Sequence, residues 1–275
     1  MPPASINDPF PQAPEPFLTA DDPPPFRVVN PHGRAPVLLL CDHASRAVPL
    51  RLANLGLAEA DLRRHIGWDI GAADVTEHLA RRLDAPAVLT GFSRLVIDCN
   101  RCPDHPSAIP EVSDGIAVPG NKGLMERQRR ERIAACFTPY HDAVKAQLAA
   151  SAQRGVTPAL LMIHSFTPQM NGSRRPWHVG ILWDKDPRIP VPLMRNLAVV
   201  EPKLVVGDNE PYSAREPAGY SIHVHAMSAG LPHVLVEIRQ DLIETEEGAA
   251  EWAGILADAV EPILACADLY CATRF

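Results

Sequence analysis

"VLLLCDHASRAVP" spans residues 37–49, and its order decides how the rest of the chain is read. The unbroken run "VLLL" fits a strand covered on both faces, which is the mark of a mainly parallel sheet. Asp42 and His43 follow at once, and then a small polar loop begins. In open α/β sheets ligands bind at the carboxyl ends of strands. This stretch therefore predicts a site at a strand end, provided that other segments supply partners for His43.

Six further segments share the strand character: "AVLT" (87–90), "RLVIDC" (94–99), "ALLMIHSF" (159–166), "HVGILWD" (178–184), "LVVGDN" (204–209) and "HVLVEIR" (233–239). Helical patterns fall between them, at about 59–83, 122–152, 190–200, 219–229 and 246–268. This alternation predicts an α/β fold, a mixed, mainly parallel sheet with helices on both faces.

Residues 1–36 hold eleven prolines. Proline removes backbone donors and fixes φ, so an extended, irregular arm is expected. The simplest division is an arm over residues 1–26 and a single α/β domain over 27–275. The formal net charge of −7 argues against a nucleic-acid surface, whose footprint is basic. No stretch approaches the ~18 uninterrupted apolar residues of a membrane span. The N-terminus lacks the basic and apolar regions of a secretory signal, so a cytoplasmic protein is expected. The lone "CNRC" of Cys99 and Cys102 has no second pair to make a zinc ribbon. Free thiols suit it better.

The strand ends can then be read together. "VLLLCDH" delivers His43, "RLVIDCNR" delivers Asp98, Asn100 and Arg101, "LLMIHSF" delivers His164, and "HVLVEIR" carries Glu237 and Arg239. Charge at the end of a buried strand is costly unless paired or ligated. A zinc site of two histidines and one carboxylate, with an open position for water, would meet that demand.

In combination, "DHAS", "GWDIGA", "SRLVIDCNR", "HSFTP" and "EIRQDL" resemble the N-formylglutamate amidohydrolases over roughly residues 35–268. The resemblance implies a zinc-carboxypeptidase-like (phosphorylase/hydrolase-like) fold, similar to the aspartoacylases, with a single catalytic zinc. It makes His43 and His164 the zinc histidines and Glu237 the carboxylate that activates the attacking water. Asp98 supports a zinc histidine, while Asn100 and Arg101 grip the substrate. The implied reaction releases formate and glutamate from N-formyl-L-glutamate, the last step of one route of histidine degradation. One departure stands out. Carboxypeptidases carry a glutamate ligand three residues after the first histidine, and here that place is Arg46. Asp69, in "GWDIGA", is the choice for the third ligand on its resemblance to a family segment, with Asp42 and Asp98 as competitors. Asp69 also suits a plain helix cap.

Arg94 flanks the same segment as Arg101, and a planar guanidinium matches a substrate carboxylate. Arg175, Asn209 and Tyr212 lie in long polar loops after strands, where substrate contacts usually occur. His141 resembles a family segment, yet a buried hydrogen-bonded histidine explains it equally well. "MERQRRERI" (125–133) reads as a solvated helix face. The expected partner is a small anionic N-acyl amino acid, with zinc as cofactor. Two rivals remain: an amidase for another N-acyl amino acid or short peptide-like amide, and a non-catalytic carboxylate-binding protein on the same scaffold.

Overall fold

The structure is a computed structural model and describes residues 16–215, 219–273 and 275. Its strands are β1 (Phe26–Val29), β2 (Val37–Cys41), β3 (Ala87–Thr90), β4 (Val112–Ser113), β5 (Ile116–Ala117), β6 (Ala159–Phe166), β7 (Gln169–Met170), β8 (Ser173–Arg174), β9 (Val179–Leu182), β10 (Val206–Asp208) and β11 (His233–Arg239). Its helices are α1 (Glu59–Leu62), α2 (Ala72–Arg82), α3 (Glu126–Arg132), α4 (Thr138–Gln153), α5 (Pro190–Val200), α6 (Tyr220–His225) and α7 (Glu246–Leu264).

Seven strands form the main sheet, in the order β1-β3-β2-β6-β11-β9-β10. The central four, β3, β2, β6 and β11, are parallel to one another. β1 joins one side antiparallel to β3, and β9 joins the other antiparallel to β11, with β10 parallel to β9. Both faces are covered, which accounts for the unbroken apolar runs. Val37, Leu39 and Cys41 pack with α2, α5 and α7, while Leu38 and Leu40 pack with α4 and α6. The fold is the α/β arrangement expected, a mixed, mainly parallel sheet between helical layers. Among the described residues no helix is long and apolar enough to cross a membrane.

One expected strand is absent. Residues 94–99 form turns, although Leu95, Val96 and Ile97 are all buried. Their backbone bonds locally: Val96 N–H donates to Ser93 O at 2.9 Å and Arg101 N–H to Asp98 O at 3.1 Å. Val96 O accepts from the buried Arg132 at 3.0 Å. Arg132 thus corrects the reading of 125–133 as a wholly solvated face. Glu126, Arg127, Gln128 and Arg130 are exposed, but Arg132 is 1 % exposed and ties this loop to Gly120 and Asn121.

The helix expected over 59–83 is broken between α1 and α2. Gly71 adopts φ +76°, where a Cβ would collide with the Ile243 carbonyl oxygen. Left-handed backbone at that point favours glycine. The break matters for function, because it lets Asp69 N–H donate to His43 O at 3.0 Å. The long helical stretch at 122–152 is also interrupted, by a π-helical turn at Ile133–Phe137. Of the proline-rich arm, residues 1–15 lie outside the described residues. The part nearest the domain lies against it: Phe17 and Leu18 pack on the core, and Gly91 N–H donates to Pro25 O at 2.9 Å.

Candidate metal centre and active site

Five places in the fold converge at the carboxyl ends of the central strands. Asp42 and His43 follow β2 directly, His164 and Ser165 lie near the end of β6, and Glu237 lies on β11. Asp69 comes from the break before α2. Arg94, Asp98, Asn100 and Arg101 come from the turns after β3 rather than from a strand end. Thr90, the last residue of β3, pins the β2 exit, accepting from Ala44 N–H at 3.0 Å and donating to Asp42 O at 3.0 Å.

All four nitrogens of the two imidazoles face carboxylate oxygens. His43 Nδ1 lies 3.2 Å from Asp69 Oδ2, and His164 Nδ1 lies 2.8 Å from the same oxygen. His43 Nε2 is 2.7 Å from Asp98 Oδ1, and His164 Nε2 is 3.3 Å from Asp42 Oδ2. The ring centroids are 4.9 Å apart. One ligand atom from each of His43, Asp69 and His164 lies within 4.8 Å of the others, so these three could hold a metal ion. Asp42 and Asp98, the competitors for the third position, sit instead behind the histidines. A carboxylate at the far nitrogen is the usual means of orienting a metal-binding imidazole.

The donor set fits a divalent cation. Burial pushes Asp69 upward, but His43 and His164 outweigh it and hold the carboxyl well below its ordinary value. Burial likewise opposes ionisation of Asp42, yet its bond to His164 holds it at about 2. Asp98 is lowered by His43 and Arg94 against its own burial. The histidines move the other way. Burial and Arg94 disfavour charge on His43, but Asp98 and Asp69 raise it; Asp42 and Asp69 raise His164 well above its ordinary value despite burial. Arg94 spans the cluster, donating to Asp69 Oδ1 at 3.2 Å and Asp98 Oδ2 at 3.1 Å. With both imidazoles protonated, they and Arg94 balance three aspartates. Exchanging the two Nδ1 protons for one dication leaves that balance unchanged.

Glu237 differs from these groups. Its Oε2 is buried with no hydrogen-bond partner, and burial raises its carboxyl to about 7, against the pull of His164. An unpartnered buried carboxylate in a cavity, poised near neutrality, is suited to taking up and releasing a proton.

A cavity of about 430 Å³ opens over the cluster. His43, Asp69, Arg94, Asp98, Asn100, Arg101, His164, Tyr212 and Glu237 all line it, and Arg175 and Asn209 do not. The Asn209 side-chain oxygen is occupied by Trp183 N–H and Ala214 N–H, each at 3.1 Å, so it shapes the loop that carries Tyr212. Arg175 supports Tyr212 from behind, donating to its hydroxyl at 3.0 Å. His141 is a buried hydrogen-bonded residue, placed against His225 Nε2 at 2.8 Å and Cys99 O at 3.0 Å. Arg239 turns to Asp241 at 2.8 Å. His65, whose Nε2 is buried without a hydrogen bond, lines the cavity and carried no signal in the sequence. Tyr140 and Ser221, both bonded to Asp42, were equally silent, because lone polar residues within helical patterns carry no signature.

The family model for N-formylglutamate amidohydrolase matches residues 35–244. The crystal structure of a gene product of Agrobacterium tumefaciens is 36% identical, with a TM-score of 0.85 over 90% of this chain and 99% of that one. The structure of an N-formylglutamate amidohydrolase from Ralstonia eutropha is 21% identical, with a TM-score of 0.60 over 87% of this chain and 97% of that one. That second likeness is one of fold. No curated protein matches the chain. With a matched segment that runs from the start of β2 to beyond Glu237 and takes in the whole cluster, the chain belongs to the N-formylglutamate amidohydrolase family.

Proposed function

We propose that this protein hydrolyses the amide of a small N-acyl amino acid, N-formyl-L-glutamate first, and that His43, Asp69 and His164 hold one zinc ion per chain for the purpose. The observation that carries the reading is the contrast within one cavity. Two Nδ1 atoms converge on a single Asp69 oxygen, and Glu237 stands beside them with a bare oxygen. When bound, zinc supplies a Lewis acid that polarises an amide carbonyl and lowers the pKa of a coordinated water toward ~7.

The chain's own groups supply the rest. Asp98 and Asp42 hold the histidine rings with their Nδ1 atoms turned inward. Arg94 clamps Asp69 and Asp98; with both amino groups on aspartates it organises the cluster rather than gripping substrate. Glu237 takes a proton from the attacking water and passes it to the departing amine nitrogen, a role worth roughly 10²–10⁴ in rate. Arg101 and Asn100, on the cavity wall, bind a substrate carboxylate and so fix the scissile carbon beside Glu237. A buried carboxylate with an unbonded oxygen beside the cluster favours catalysis over a purely carboxylate-binding role, which has no use for it. A cytoplasmic setting suits the free cysteines.

One feature favours a second substrate of the same class. Leu235 lies on the same face of β11 as Glu237, paired with Leu182 of β9, and both line the cavity with Ile222. This apolar wall offers room for an acyl group longer than formyl.

The test is carboxylate release from N-formyl-L-glutamate, N-formyl-L-glutamine and longer N-acyl glutamates, by wild type and by Arg101→Lys. Lysine keeps the charge but loses the paired donors that a carboxylate matches. At least one N-acyl glutamate should be turned over, and the variant should show a lower kcat and a higher KM. No turnover of any member by the zinc-loaded protein would contradict it.

A further inference from the structure

Asp42 is fully buried, and its two oxygens have separate tasks. Oδ2 faces His164 Nε2 at 3.3 Å. Oδ1 accepts from the Tyr140 hydroxyl at 2.6 Å and from the Ser221 hydroxyl at 2.7 Å. Tyr140 comes from α4 and Ser221 from the first turn of α6, both 0 % exposed. Two short donors on one oxygen fix the plane of the carboxylate and leave the other oxygen aimed at the histidine. Ser221 also donates its backbone N–H to Asn100 Oδ1 at 3.1 Å, so one residue braces both the cluster and the cavity wall.

We infer that Tyr140 and Ser221 are positioning residues for the metal centre, acting through Asp42 to orient His164; this rests on the reading of His43, Asp69 and His164 as metal ligands. With either hydroxyl removed, Asp42 can rotate toward the remaining donor, and His164 loses the fixed acceptor that holds its ring. Partners one step behind a ligand typically change metal affinity about 10–100-fold. Tyr140 and Ser221 lie one step further out. Each single loss should therefore weaken binding about 3–10-fold, and the double loss at least about 10-fold.

A merely structural role predicts something else. Burying Asp42 without partners would lower stability and leave the affinity of the folded protein unchanged. Cobalt(II), with its visible spectrum, separates the two cases. Metal-free wild type, Tyr140→Phe, Ser221→Ala and the double variant are titrated with cobalt against a chelating indicator, with Tm measured in parallel. Phe137→Leu serves as the control, since Phe137 is a buried aromatic beside α4 that makes no bond to Asp42. The inference expects weaker affinity and an altered cobalt spectrum in the hydroxyl variants, with neither change in Phe137→Leu at a comparable loss of Tm. Wild-type affinity in the hydroxyl variants, or an equal loss in the control, would overturn it while leaving the metal centre standing. A wild type that takes up no cobalt would overturn both together.

Discussion

Glu237 on β11 lies directly across from His164 on β6 in the parallel register of the sheet. Cross-strand partners project to the same face, so the carboxylate and the imidazole enter one cavity from adjacent strands. Both are held by paired central strands of the sheet, and Glu237 arrives with an oxygen unbonded.

Glu237→Gln should therefore keep the fold and the metal and lose most of the rate. The amide preserves shape but cannot accept a proton from water. A fall in kcat of about 10²–10⁴ is expected, with metal content unchanged by elemental analysis. A fall smaller than about tenfold would remove Glu237 from the proton transfer.

Metal uptake should release about two protons near neutral pH, one from each Nδ1. The sign follows from the shifts. His43 and His164 are raised above 6.5, so their contribution to metal-free stability is complete below that value and fades as pH rises through the folded pKa values. Asp42 and Asp69 are lowered from 3.8, so theirs is complete above that value and fades as pH falls. Glu237, raised from 4.5 to about 7, adds a cost that grows between those values. The two histidines and two aspartates thus favour the metal-free fold most between 3.8 and 6.5, offset above 4.5 by Glu237, and the metal has to displace the histidine protons there. The Tm gained on adding zinc should grow from about pH 5.5 to about pH 8. Calorimetry in buffers of different ionisation heat counts the protons. A gain that is flat across that range would contradict the proton exchange.

Much of this is legible in the sequence. The bounds of β6, β11 and α5 match the expected segments, because long Val/Leu/Ile runs and a proline-led start are strong local signals. The convergence of His43 and His164 follows from strand-end placement in a parallel sheet. Leu95–Ile97 misled for a physical reason: a run of three buried apolar residues looks the same whether its backbone pairs in a ladder or bonds to turns and a guanidinium. Asp69 depended on a helix break at Gly71, and Asp42 on donors about 100 and 180 residues away in the chain. Such long-range polar pairs leave no trace in spacing.

Arg132 stands for what charge patterning hides. Inside a run of exposed charges it is buried, held near 10 by that burial, and bonded to Val96 O at 3.0 Å, Gly120 O at 2.9 Å and Asn121 Oδ1 at 2.6 Å. Arg132→Met would leave those acceptors unsatisfied beneath the loop that carries Arg94 and Asp98. A loss of about 2–4 kcal/mol is expected, seen as a Tm lower by roughly 5–10 °C. A shift within about 1 °C would show the guanidinium to be dispensable.

On the proposed reading, His43, Asp69 and His164 together hold a catalytic divalent metal. Elemental analysis of purified wild type, His43→Ala, Asp69→Ala and His164→Ala, with carboxylate release from N-formyl-L-glutamate measured on the same samples, tests it most directly. The account predicts about one zinc per chain in the wild type, loss of metal and of turnover in each variant, and folded variants by circular dichroism. Stoichiometric metal retained by both histidine variants, or turnover that survives complete removal of metal, would contradict it.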